Sequence, residues 1–172
     1  MKVIDQILPL VWDTAFRMRE KDYEELSCIF ESKSRKELAD ILAVQYAPHP
    51  TIKLYALDDG TPTVVMGWTM ARPGTAQIGM FATDDFGRIK AAVSKHIVRH
   101  FFDDINTYNI HRMECFSLGT HAEAHEWIEW LGLKKEAEIP GYGKNGEMFV
   151  SFAWTRGPDA TQVKWRRGGE LR

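Results

Sequence analysis

A chain of 172 residues, 44% apolar and 27% charged, has the size and balance of one globular domain with a full core. A net charge of −2 excludes a bulk electrostatic drive toward nucleic acid or an anionic membrane. No run of about 18 apolar residues exists, so no membrane span is expected, and two cysteines are too few for a disulfide framework.

The N-terminal MKVIDQILPLVW is a short apolar piece broken by Asp5 and Pro9, with no small-residue cleavage site after it, so a cytoplasmic setting is expected, a host cell included. Ala15 to Arg19 alternates around Phe16 and Met18 and predicts a short first strand. Lys21-Asp22 opens a helix with Asp22 as the capping carboxylate, and Leu26, Ile29 and Phe30 follow at helical spacing. Ser34 with Glu37 is a capping-box pair for a second helix carrying Leu38, Ile41, Leu42 and Gln45, which Pro48-His49-Pro50 ends. Ile52 to Leu57 and Val64 to Arg72 read as strands around the hairpin turn Asp58-Asp59-Gly60-Thr61-Pro62. Pro73-Gly74 turns the chain into a further strand, Ala76 to Thr83, expected at the sheet centre. Phe86 to Phe102 is the longest helix, with Ile89, Ala92, Val93, Ile97 and Phe101 along one stripe. Met113 to Phe116 is a strand and Glu123 to Leu131 the last helix. Gly132 follows as a left-handed stop, and the turn Tyr142-Gly143-Lys144-Asn145-Gly146 separates two closing strands. Cys28 and Cys115 fall inside a predicted helix and strand, as small buried apolar side chains.

The expected fold class is α/β (α+β): six or seven mostly antiparallel strands with helices on both faces. A folded domain is expected over 1–156, and 157–172 forms a polar, basic tail. There Lys164, Arg166 and Arg167 surround Trp165, which suits either a solvated terminus or an arm with an aromatic anchor.

From Ile110 to Arg156 the order is strand, turn, helix ending in Leu131-Gly132-Leu133, strand, glycine-rich turn, strand. This resembles the C-terminal half of the Gcn5-related N-acetyltransferase (GNAT) family, where a helix ending in Leu-Gly-Phe feeds a closing hairpin. The likeness of order covers Ala15 to Arg156. A closer one is to small GNAT-like proteins of short-tailed bacteriophages, internal virion proteins among them. It is carried by Met80-Phe81-Ala82-Thr83-Asp84, Arg112 with Glu114-Cys115, Ala124-His125 with Trp127, and Tyr142 to Glu147 running into Ala153-Trp154-Thr155-Arg156. The resemblance implies a phage origin and either an acetyltransferase or a role in the virion. A location in the virion or host cytoplasm follows. Expected partners are other virion proteins, a second copy or a host protein substrate, with no nucleic acid.

The resemblance also implies acetyl-CoA as cofactor, held by a loop of pattern Arg or Gln, two residues, Gly, one residue, Gly or Ala. With Ala92 set on the last position, Lys90 stands where the family has glycine and Gly87 where it has Arg or Gln. The candidate cofactor residues are Thr83, Gly87, Arg88, Lys90 and Ala92. Asp84 and Asp85 would repel a pyrophosphate, although they suit a helix N-terminus. The family's proton-donating tyrosine, four residues before the Leu-Gly-Phe glycine, corresponds to Ile128, and the strand base to Gln77. Glu114 and Tyr142 are the remaining catalytic candidates, Glu114 with an alternative role as the ion partner of Arg112. His121 and His125 have chelating spacing, yet no third ligand is evident beyond Glu114 or Glu126, and no metal is expected. Two readings stay open: a GNAT-like interaction protein with a degenerate acetyl-CoA site, and a working N-acetyltransferase for a host protein or small amine.

Overall fold

The computed structural model describes residues 2–157, so the tail with Trp165 lies outside the described residues. The elements in order are α1 (Lys2–Phe16), α2 (Glu20–Ser27), α3 (Arg35–Tyr46), β1 (Lys53–Ala56), β2 (Pro62–Arg72), β3 (Thr75–Ala82), α4 (Phe86–Thr107), β4 (Arg112–Leu118), α5 (Ala122–Trp130), β5 (Lys134–Ile139) and β6 (Phe149–Thr155). The six strands form one mixed sheet in the order β1-β2-β3-β4-β6-β5, which puts β3 inside it as expected. β3 and β4 run parallel, while β1/β2, β4/β6 and β5/β6 are antiparallel.

Two compact units divide the chain. Of the described residues, one holds 2–69 together with Gly79–Lys90, and the other holds Met70–Ile78 and 91–157.

The first unit corrects the sequence reading at its start. Ala15 to Arg19 is not a strand: α1 runs through Phe16, and only Met18 makes an isolated bridge to Thr83. Val11 and Ala15, four apart, are completely buried, so helical spacing wins over a two-residue alternation. The helix contains Pro9, whose missing N–H is outweighed by that packing. Asp22 is not a cap either. Arg19 stands at the N-cap of α2 without a side-chain capping bond, and Asp22 is buried inside the helix. The Ser34 cap of α3 does form, the Glu37 amide donating to Ser34 Oγ at 3.1 Å, while Glu37 Oε2 reaches one residue further back than a capping box and accepts from the Lys33 amide at 2.7 Å. Val11, Ala15, Leu26, Leu38, Leu42, Val65 and Phe81 make the core of this unit.

In the second unit α4 runs to Thr107, five residues past its expected end. Arg156 closes it by donating to the carbonyl of Ile105 at 3.2 Å and to that of Ile110 at 3.3 Å. α5 ends as the sequence reads. Gly132 has φ +98°, its amide donates to Glu129 O, and the Leu133 amide donates to Ile128 O. Phe149 and Phe152 on β6 and Met113 on β4 are fully buried.

Candidate functional site

The first unit carries the turn that leaves β3. Ala82 is its fixed point: its amide donates to Asp22 Oδ2 at 2.8 Å, and its carbonyl accepts from the Arg19 amide at 2.8 Å. Asp22 also takes the Arg19 guanidinium, with Nη2 2.8 Å from Oδ1. Arg19 in turn lies over the Phe86 ring, 5.1 Å from its centroid. Arg19 and Asp22 thus grip both ends of the segment 83–85. Sequence reasoning missed this role, because a carboxylate at the start of a helix reads first as a cap.

Within the turn the Phe86 amide donates to Thr83 O and the Arg88 amide to Asp85 O, both at 3.0 Å. Thr83 is buried, and no described residue hydrogen-bonds its hydroxyl. Arg88 is exposed and turns back onto Asp85 at 3.0 Å. Asp85 adds to the forces raising the Arg17 pKa, of which the hydrogen bond to Asp13 is the largest. The exposed Asp59 carboxyl is held below its usual value by the Thr61 hydroxyl and amide, with a smaller contribution from Arg88. Gly87 is exposed, and a Cβ there would meet nothing within 4 Å. Lys90 is exposed as well. The structure therefore brings Thr83, Gly87 and Arg88 together on one turn, with Lys90 in the helix that follows.

Tyr46, the last residue of α3, also escaped the sequence reading. Its ring packs edge-on against Phe81 at 5.3 Å, and its hydroxyl lies where a side chain on Gly79 would be. Burial, helped by the charge of Glu25, pushes its phenol up to about 12. The signal for it was Gly79 itself, a glycine inside a central strand.

The second unit holds Ala92, Glu114 and Tyr142. Ala92 is exposed on α4. Glu114 is buried on β4, opposite Ala153 of β6 and Gln77 of β3. Arg112 Nε donates to its Oε2 at 2.7 Å, and Arg72 approaches the same oxygen at 3.5 Å. Arg112 continues to Glu136 at 2.5 Å. Glu136 first and Glu114 second raise the Arg112 pKa, and Arg112 lowers that of Glu136. The sequence alternative of an arginine-paired Glu114 is the one observed. Tyr142 stacks on Phe116 (5.1 Å, 17°) and tilts against Phe149 (5.0 Å). Burial chiefly, and the Glu114 charge next, raise its phenol pKa, so it stays protonated at neutral pH. The turn beside it is tied by Glu147, which accepts from the Asn145 amide and side chain, while Gly146 takes φ +93°.

His121 is buried, and the His125 ring Nε2 lies 3.0 Å from Leu118 O, so this pair serves packing and main-chain contacts. Among the described residues no group of three or more His, Cys, Asp or Glu side chains is placed to hold a metal ion. No described helix is long and apolar enough to cross a membrane.

Neither protein-family models nor curated protein sequences give a match to this chain. Solved structures do. A GNAT-family acetyltransferase from Bacillus anthracis is similar over 87% of this chain and 89% of its own, at 10% identity and TM-score 0.64. The ribosomal-protein-S18-alanine N-acetyltransferase from Escherichia coli is similar over 90% and 93%, at 14% identity and TM-score 0.58. The ribosomal-protein-S5-alanine acetyltransferase from Vibrio fischeri is similar over 86% and 88%, at 15% identity and TM-score 0.56. The chain has the GNAT fold, a six-stranded mixed sheet with helices.

Proposed function

We propose that this chain is a GNAT-fold binding protein in which acyl transfer is weak or absent. The observation that carries the reading is the Arg88–Asp85 pair at the start of α4. A pyrophosphate needs free amides and unpaired cations at such a turn. Here the Phe86 and Arg88 amides already serve carbonyls of the turn, Arg88 is engaged, and Asp84 and Asp85 add two negative charges. Glu114 supports the same reading, because its Oε2 is already taken by Arg112 Nε at 2.7 Å. The family's acid position is Ile128, which donates no proton. The phage-protein resemblance extends the reading to a place in a virion or its assembly, with another virion protein or a second copy as partner. Mass spectrometry of purified particles tests that extension, and absence of the chain from them removes it.

Thermal unfolding with and without acetyl-CoA tests the core of the proposal. The expected result is no stabilisation. A ligand at a hundredfold excess over its Kd stabilises the native state by about 2.7 kcal/mol, and a shift of that size sinks the reading.

A second reading is an acetyl-CoA-dependent N-acetyltransferase for a protein or a small amine. Two observations favour it. The fold is similar over nearly the whole length of enzymes named for ribosomal-protein acetylation, and a Cβ on Gly87 would meet no described residue within 4 Å. On that reading Arg88→Ala weakens acetyl-CoA binding by about 1–3 kcal/mol, the loss of a charge-assisted bond.

A further inference from the structure

The sequence holds a second pair of histidines with chelating spacing. His96 and His100 lie four apart on α4, and Asp103 lies three further on, so the three side chains share one stripe of the helix. Their fate is the opposite of that of His121 and His125. The His96 and His100 rings face each other with centroids 4.5 Å apart and planes 43° from parallel. The His100 side chain is 52% exposed.

We propose that His96 and His100 form a surface chelate for one divalent transition ion, of the imidazole-preferring class that includes Zn2+, Ni2+ and Cu2+. Two ring nitrogens bound to one ion at about 2.0–2.1 Å lie no more than about 4 Å apart. Rings at 4.5 Å between centroids reach that with small side-chain rotations. Asp103 supplies the orientation. Its Oδ2 is 3.6 Å from His100 Nδ1, so a small side-chain rotation brings the two into hydrogen-bond range, and that bond then holds the proton on Nδ1 and leaves the Nε2 lone pair for the ion. Asp103 is a positioning residue and not a ligand. Water completes the coordination, so the ion is exchangeable, with Cu2+ held most tightly. This inference stands apart from the acetyl-CoA question, because it uses no residue of the β3–α4 turn.

The test is calorimetric titration of the full-length, tag-free chain with ZnCl2, repeated on His96→Ala, His100→Ala, Asp103→Asn and His49→Ala. One saturable Zn2+ per chain is expected. Each of the first two variants should weaken binding by more than about tenfold, since a chelate becomes a single contact. Asp103→Asn should weaken it by about tenfold, the lower end for loss of a supporting carboxylate. His49→Ala should change nothing. Far-UV circular dichroism shows that the variants stay folded. A wild-type chain without saturable uptake overturns the proposal, as does uptake that survives a His96→Gln/His100→Gln double variant. Unchanged binding in Asp103→Asn overturns the role of that carboxylate.

Discussion

Asp22 and Glu114 are both buried carboxylates facing an arginine, one in each unit, and they do different work. Asp22 binds Arg19 and, through its second oxygen, the amide of Ala82, sixty residues along the chain. Glu114 binds Arg112, two residues away on its own strand, and Arg112 passes the charge on to Glu136. The first carboxylate fixes main chain at the end of a strand. The second belongs to an alternating row of charges whose members have other partners. Burial and an arginine are therefore not enough to mark a catalytic carboxylate. What else the oxygen atoms hold decides the role.

The largest effect should come from breaking the first arrangement. Asp22→Ala leaves the Arg19 charge and the Ala82 amide unmet in a buried place, and should destabilise the chain by about 3–5 kcal/mol. Asp22→Asn can still accept the Ala82 amide and should lose less. Glu114→Ala should lose about 1–3 kcal/mol, since Arg112 keeps Glu136. Urea denaturation measures all three, and a larger loss in Glu114→Ala than in Asp22→Ala would reverse the comparison.

Tyr46 sharpens it from another side, because it is a partly buried titrating group of the first unit whose charged neighbour, Glu25, opposes ionisation. Its folded pKa of about 12 stands above the ordinary 10. The unfolded chain then releases the phenol proton first, so stability falls as pH rises from 10 toward 12. At about 1.4 kcal/mol per pH unit the loss is roughly 2–3 kcal/mol. Tyr46→Phe should flatten that part of the pH–stability curve. An unchanged slope would mean that the phenol ionises freely in the folded chain.

Local chemistry was the legible part of this fold. Ser34 caps its helix, and Gly132 and the Tyr142–Gly146 turn take their expected places, because each depends on a few neighbouring residues. Long-range partners decided the rest. Ala15 to Arg19 read as a strand because a two-residue alternation is the only signal there, whereas the buried Val11–Ala15 stripe makes it helical. Asp22 read as a cap because nothing near it announces Ala82. The candidate site divides in the same way. Thr83, Gly87 and Arg88 were found together because they are neighbours in sequence, while Tyr46 reached Gly79 from across the fold. Ser34→Ala, a purely local change, should accordingly remove only about 1 kcal/mol, read as a shift in the urea midpoint.

The smallest effect concerns Tyr142, where the second arrangement makes itself felt at a distance. Burial against Phe116 and Phe149 is the main reason its phenol pKa is raised, and the negative charge of Glu114 is the next. Replacing Glu114 by glutamine removes the charge and keeps the shape. The Tyr142 pKa should then fall part of the way toward 10, because burial remains and repulsion does not. The direction is informative in itself. Titration followed by nuclear magnetic resonance of labelled tyrosine rings separates Tyr142 from Tyr46, which should stay near 12 in the variant. A Tyr142 pKa that stays fixed or rises when Glu114 is neutralised would show that the charge does not reach the ring, and would remove the electrostatic link between the two residues that make up this part of the site.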